Sequence, residues 1–161
     1  MLVSELPPPH NPSSCQHFER FQRIRNGLDR LEGDEIELDL KAGEIFIKTL
    51  GPEDRLQCHY HEADWKSIAD ASVQILDELG PDATNEEYEA AASALELDSV
   101  EQCWLVSLFR DPIAVKEMQE YNNGQHRACA LRFSGADRAV VKTDGKSLPE
   151  ISADWVYLGD G

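Results

Sequence analysis

The chain has 161 residues and a mass of 18.1 kDa, with 41% hydrophobic and 29% charged residues. That is the size and composition of one globular domain, able to bury a core without disulfide or metal staples. Its 31 acidic against 15 basic residues give a net charge of −16, a field that repels phosphate backbones and anionic headgroups and disfavours nucleic acid or a membrane surface as partner.

Three consecutive prolines, Pro7 to Pro9, and a fourth at Pro12 predict a disordered, Pro-rich lead-in over 1–13. Residues 14–161 are expected to form a single domain. Ser13 or Ser14 would cap a helix whose apolar residues Phe18, Phe21, Ile24, Leu28 and Leu31 fall three or four apart, with Gly33 ending it. The other face of that helix carries Arg20, Arg23, Arg25 and Arg30, suited to docking on the acidic remainder or on a partner. Ile36, Leu38 and Leu40 then alternate with Glu37 and Asp39, Ile45 to Ile47 follow a turn at Lys41–Gly43, and Leu56, Cys58 and Tyr60 alternate after Gly51-Pro52. This alternation predicts an antiparallel meander over 35–61.

From Asp64 the period becomes helical. Trp65, Ile68, Ala69, Val73, Leu76 and Leu79 form one stripe, ended by Gly80-Pro81. Thr84 with Glu87 is a capping-box pattern, Ser99 with Gln102 repeats it, and Asp111-Pro112 has the chemistry of a further short helix start. A helix over 128–133, a strand over 138–143, an Asp144-Gly145 turn and a last strand at Trp155, Val156 and Tyr157 complete the reading. The predicted fold is α+β: a small mixed sheet from 35–61 and 138–157, packed with about six helices.

Cys15, Cys58, Cys103 and Cys129 include no CxxC pair. With no basic and apolar leader over 1–14 and no apolar run near the roughly 18 residues of a membrane span, a cytoplasmic location with reduced thiols is expected. Cys15-Gln16-His17 and Cys58-His59-Tyr60-His61 carry zinc-ligand residue types without the gap that lets two ligands reach one ion. On a strand, His59 and His61 would share a face, which makes Cys58, His59 and His61 the candidate metal ligands; the preferred reading is no metal, in a partly solvated hairpin.

The segment Asn122-Asn123-Gly124-Gln125-His126-Arg127 is the one local motif with chemistry. A glycine admits close backbone approach, a helix start offers unpaired N–H groups and a partial positive charge, and arginine offers a two-pronged donor. Between Tyr121 and Ser147 five basic residues face two acidic ones, net +3, while the remainder carries 10 basic and 29 acidic residues, net −19. The same residues also suit a tight turn between two helices, with structural roles for His126 and Arg127.

Gly124-Gln125-His126-Arg127, followed by a small-residue helix, a glycine and a hydrophobic strand, resembles the G-x-H-R signature of the ParB-like and sulfiredoxin-like superfamily, including its DGQHR-type branch. The longer run to Val141 resembles sequences of actinobacterial proteins of uncharacterised role. The resemblance covers about residues 121–143. It implies a helix whose backbone and arginine contact nucleotide phosphates, with Gly124 as the loop glycine and His126 and Arg127 as the phosphate-facing side chains. Sulfiredoxins carry their catalytic cysteine where this chain has Gln125, and the E-N-x-x-R motif of the partitioning branch is absent, which counts against sulfiredoxin chemistry and against CTP hydrolysis. The family also places a strand directly before the motif, where this chain's pattern predicts a helix, with only 118–121 left for a strand.

The expected function is binding of a small phosphate-bearing ligand, foremost a nucleotide, at the helix start formed by Asn123, Gly124, Gln125, His126 and Arg127. His126 is the candidate acid–base group if a reaction is catalysed, a point the residues leave open. No cofactor is predicted, and a nucleotide with Mg²⁺ is the group the site would take. The alternative is a non-enzymatic acidic protein that captures a basic protein partner.

Overall fold

A computed structural model describes residues 1, 3–116, 120–143 and 155–156. Helices α1 (Phe18–Gly27) and α2 (Glu35–Thr49) pack together, followed by the short α3 (Pro52–Leu56) and a 3₁₀ turn at His59–His61. Helices α4 (Trp65–Leu79), α5 (Asn85–Ala94) and α6 (Ser99–Arg110) come next. Strands β1 (Ala114–Lys116) and β2 (Glu120–Asn123), helix α7 (Gln125–Arg132), and strands β3 (Val141–Thr143) and β4 (Trp155–Val156) close the described chain. The sheet order is β2-β1-β3-β4, with β1 antiparallel to β2 and parallel to β3, and β3 antiparallel to β4. The architecture is α+β with a small mixed sheet, as expected.

Strands β3 and β4 fall within the expected 138–157, but the rest of the sheet comes from β1 and β2, because 35–61 folds as α2, α3 and the 3₁₀ turn and supplies no strand. Leu38, Ala42, Phe46 and Leu50 are buried at intervals of four, so α2 shows one face to α1, where Phe21 meets Phe46 edge-on at 5.9 Å. Ile36, one of the alternating residues, is 45% exposed. Asp34 caps α2 by accepting from Glu37 N at 2.8 Å, and Glu35 and Glu37 lie at its positive end. A five-residue window of alternation was too short to separate the two periods.

The described residues of 1–13, a segment expected to be disordered, are folded onto the domain. Met1, Val3 and Leu6 are buried in the main core. The Met1 ammonium donates to Ala139 O at 2.9 Å and Val3 N to Asp137 O at 2.9 Å. The Tyr121 hydroxyl donates to Pro7 O at 2.6 Å, and Gln125 Nε2 donates to Asn11 O at 2.8 Å. Gly43 of α2 is where this strap crosses, since a Cβ there would lie 1.9 Å from Pro9 O.

Other boundaries follow physical chemistry visible locally. Thr84 and Glu87 form the expected capping box on α5, and α4 buries Trp65, Ile68, Ala69, Val73 and Leu76 of the expected stripe, while its last member, Leu79, is 41% exposed. The cap of α6 is Asp98, one residue before the expected Ser99; it accepts from Val100 N and Glu101 N. The first helix starts at Phe18 behind His17, with no side-chain cap from Ser13 or Ser14. Arg20 of α1 grips Asp54 with two hydrogen bonds of 2.9 Å, and Arg25 pairs with Asp29 and Asp39, so part of the arginine face does dock on acidic side chains. Arg20 holds the Asp54 carboxyl well below the usual carboxylate range.

Asp111-Pro112 starts no helix. Asp111 is the C-cap of α6, and the fully buried Ile113 and Val115 bracket Ala114 in strand β1. Strand β2 directly precedes Gly124, where a helix was expected; the turn between two helices is thereby excluded. The Asp144-Gly145 turn and Tyr157 lie outside the described residues.

Candidate functional site

Strand β2 ends at Asn123, and Gly124, at φ 80° and ψ 17°, turns the chain into α7. The left-handed backbone favours glycine. A Cβ at Gly124 would also lie 2.9 Å from both Cα and Cγ1 of Ile113. No side chain caps α7, and its first turn contains no acidic residue.

Arg127 is 5% exposed. Its Nη1 donates to Ser107 O at 3.1 Å and to Ser107 Oγ at 3.3 Å, which ties α7 to the end of α6. Its Nη2 stands 3.7 Å from Asp111 Oδ2. Burial lowers the guanidinium's pKa from its ordinary value. His126 stacks on Tyr60 at 5.1 Å between centroids and 17° between planes. Tyr60 in turn meets Trp104 at 5.3 Å, and Trp104 meets Trp65 at 5.5 Å. Burial pushes the His126 imidazole down, toward its neutral form.

A cavity of about 200 Å³ opens here, lined by Tyr60, Trp104 and His126 on its aromatic side and by Ser107, Asp111 and Arg127 on its polar side. Gly124 and Asn123 complete it. Of the residues expected at the site, Gly124, His126, Arg127 and Asn123 are thus brought together. Gln125 is engaged elsewhere, holding Asn11 of the strap. Asn123 Nδ2 already donates to Asp111 Oδ1 at 2.7 Å and to Pro112 O at 3.0 Å. Tyr60, Trp104, Ser107 and Asp111 were not anticipated at the site: the sequence pattern places Tyr60 in the 35–61 meander and Asp111 at a helix start, so neither points here.

Comparison of the chain with protein-family models, with curated proteins and with solved structures finds no match. What the site can do therefore rests on its own chemistry.

Mg²⁺ fits this cavity poorly. Asp111 is its one carboxylate, and that group already accepts from Asn123 and sits beside Arg127, whereas Mg²⁺ is held by one or two free carboxylates with phosphates and waters. The candidate ligands Cys58, His59 and His61 do not converge either. They lie at a 3₁₀ turn rather than on a strand, so His59 turns toward Tyr60 and Trp104 while His61 turns toward Cys129 and Phe133. Among the described residues no group of three or more His, Cys, Asp or Glu is placed to hold a metal ion.

Cys129 Sγ and His61 Nε2 are 3.7 Å apart. Burial pushes the Cys129 thiol up to about 12 and the His61 imidazole down to about 4, so the pair rests as neutral thiol and neutral imidazole. That is the opposite of the thiolate–imidazolium pair a cysteine nucleophile needs.

His61 gives the fold a specific acid sensitivity. Its folded-state pKa, about 4, is below the ordinary 6.5, so its contribution is complete above pH 6.5 and is lost as pH falls toward 4. The expected loss is about 1–3 kcal/mol. Urea denaturation at pH 7, 5.5 and 4 measures it, and His61→Gln flattens this part of the profile; an unchanged slope in that variant would assign the sensitivity elsewhere.

Proposed function

We propose that this protein binds a small phosphate-bearing ligand in the cavity at the start of α7. The observation that carries the reading is a stacked aromatic wall, Tyr60, Trp104 and His126, sharing one cavity with the buried guanidinium of Arg127. A phosphate group seated there meets the Nη2 edge of Arg127, which now has only Asp111 at 3.7 Å, and the uncapped helix start. Asp111, with a side chain 74% exposed, gives up its hydrogen bond from Asn123 and turns toward solvent as the anion enters. Gly124 lets the ligand approach the backbone, and neutral His126 supplies one donor and one face for stacking.

The cavity, at about 200 Å³, is smaller than the 300–1,000 Å³ typical for whole drug-sized ligands. It takes one end of a nucleotide, or a sugar phosphate whole, and the rest of a nucleotide would extend into solvent. No step of the reading requires Mg²⁺.

The test is calorimetry and thermal shift with inorganic phosphate, ribose 5-phosphate, AMP and GMP, beside the nucleosides. At a ligand concentration about a hundred times Kd the expected stabilisation is ~2.7 kcal/mol. His126→Ala and Tyr60→Ala weaken binding about tenfold through the lost ring contacts. Equal affinity for nucleoside and nucleotide, or no shift with any of these phosphates, sinks the proposal.

Capture of a basic protein partner is a second reading, favoured by a separate observation. Arg20, Arg25, Lys66 and Arg110 are each paired with carboxylates of the same chain, which leaves the acidic surplus to set the outward field.

A further inference from the structure

The turn that sends Tyr60 into the first cavity sends His61 into a second one, of about 350 Å³. Its apolar wall is formed by Trp65, Ala130, Phe133 and Leu56. Leu56 is 81% exposed, more than any other large hydrophobic residue among those described.

The polar groups of this cavity differ in what they have left to offer. Asp64 accepts from Ser67 N at 3.1 Å and from Ser67 Oγ at 2.7 Å, as the cap of α4. Ser134 Oγ donates to Leu131 O at 2.7 Å and accepts from Ala136 N at 3.1 Å. Arg55 is different. Its Nε donates to Gly51 O at 3.4 Å and its guanidinium carbon lies 4.4 Å from the centroid of Phe133. Among the described residues no carboxylate pairs with it, in a chain where acidic side chains outnumber basic ones 31 to 15. Both Nη groups are therefore available on the wall of an apolar cavity.

We infer that this second cavity binds a small carboxylate with an apolar tail, the carboxylate taken in a two-pronged grip by Arg55 and the tail laid against Phe133, Trp65 and Leu56. Charge decides between carboxylate and phosphate. One guanidinium balances one negative charge, and Asp64 in the same wall opposes a second. The last turn of α7, with its partial negative end, points the same way. A phosphate monoester, near two negative charges at neutral pH, is the poorer fit. The site is separate from the one at Gly124 and does not depend on it.

Benzoate, hexanoate, benzamide and phenyl phosphate are the probes, followed by calorimetry and by amide chemical shifts of the full chain. Benzoate and hexanoate are expected to bind with a Kd on the order of 1 mM or tighter, given their size. The neutral isostere benzamide should bind at least about tenfold more weakly, as expected for loss of a charge-assisted two-pronged contact. Shift changes should centre on Arg55, His61 and Phe133. Arg55→Gln abolishes the preference for benzoate over benzamide, while His126→Ala leaves it intact, which separates this cavity from the first. Benzamide binding as well as benzoate, tighter binding of phenyl phosphate, shifts centred on Tyr60 and His126, or full benzoate affinity in a folded Arg55→Gln overturns the inference. The comparison of benzoate with benzamide uses the unaltered chain, so it stands even if the variant fails to fold.

Discussion

Alanine at position 43 destabilises this protein, although alanine for glycine inside a helix ordinarily stabilises by up to ~1 kcal/mol. The added Cβ would lie 1.9 Å from Pro9 O, 3.0 Å from Pro9 C and 3.1 Å from a Pro8 carbon. Backbone atoms cannot yield as a side-chain tip does, so α2 and the strap must separate. The expected net loss is about 2–4 kcal/mol, from overpacking and from partial release of the apolar residues the strap buries. Chemical denaturation of Gly43→Ala beside the parent measures it. A rise in stability would show that the strap does not lie on α2 in solution.

Arg127→Ala has an effect of similar size for a different reason. The side chain is 6% exposed and carries two hydrogen bonds to Ser107, so its removal leaves a void between α7 and α6 and breaks the tie between them. The expected loss is about 2–4 kcal/mol, read as a fall in thermal midpoint of roughly 5–15 °C for a chain of this length. Asp111→Asn should cost far less, since the carboxylate is exposed and 3.7 Å from the guanidinium. If Arg127→Ala unfolds no more easily than the parent, Arg127 is not the tie described. If the expected fall is found, loss of ligand binding in that variant carries no information, which is why His126 and Tyr60 are the positions to alter for binding.

How far the sequence foretold this arrangement depended on the range of the interactions. Thr84 with Glu87 and the stripe from Trp65 to Leu76 are local chemistry within one or two turns, and both were read correctly. The Gly124–Arg127 helix start was placed correctly for the same reason. The stretch 35–49 was misread because Ile36, Leu38 and Leu40 satisfy a period of two before Ala42, Phe46 and Leu50 reveal a period near four. Gly43 strengthened the error: it looks like a turn, and its reason for being glycine is Pro9, thirty-four positions away. The prolines at 7–9 read as disorder because the partners of that segment, Tyr121, Gln125 and Ala139, lie more than 110 residues downstream. The site was half legible on the same grounds. Its α7 residues are contiguous, whereas Tyr60, Trp104, Ser107 and Asp111 reach it through the packing of the 3₁₀ turn and α6.

The strap also fixes an order of events during synthesis. Met1, Val3, Pro7 and Asn11 gain their long-range hydrogen bonds only once 121–139 have been added, whereas α1 with α2, and α4 with α5 and α6, pack among near neighbours in sequence. At ordinary elongation speeds that interval is roughly 6–25 s. During it the turn that carries Val3 lacks α7, against which it packs in the finished domain. The strap is therefore among the last parts of the domain to gain all its native partners.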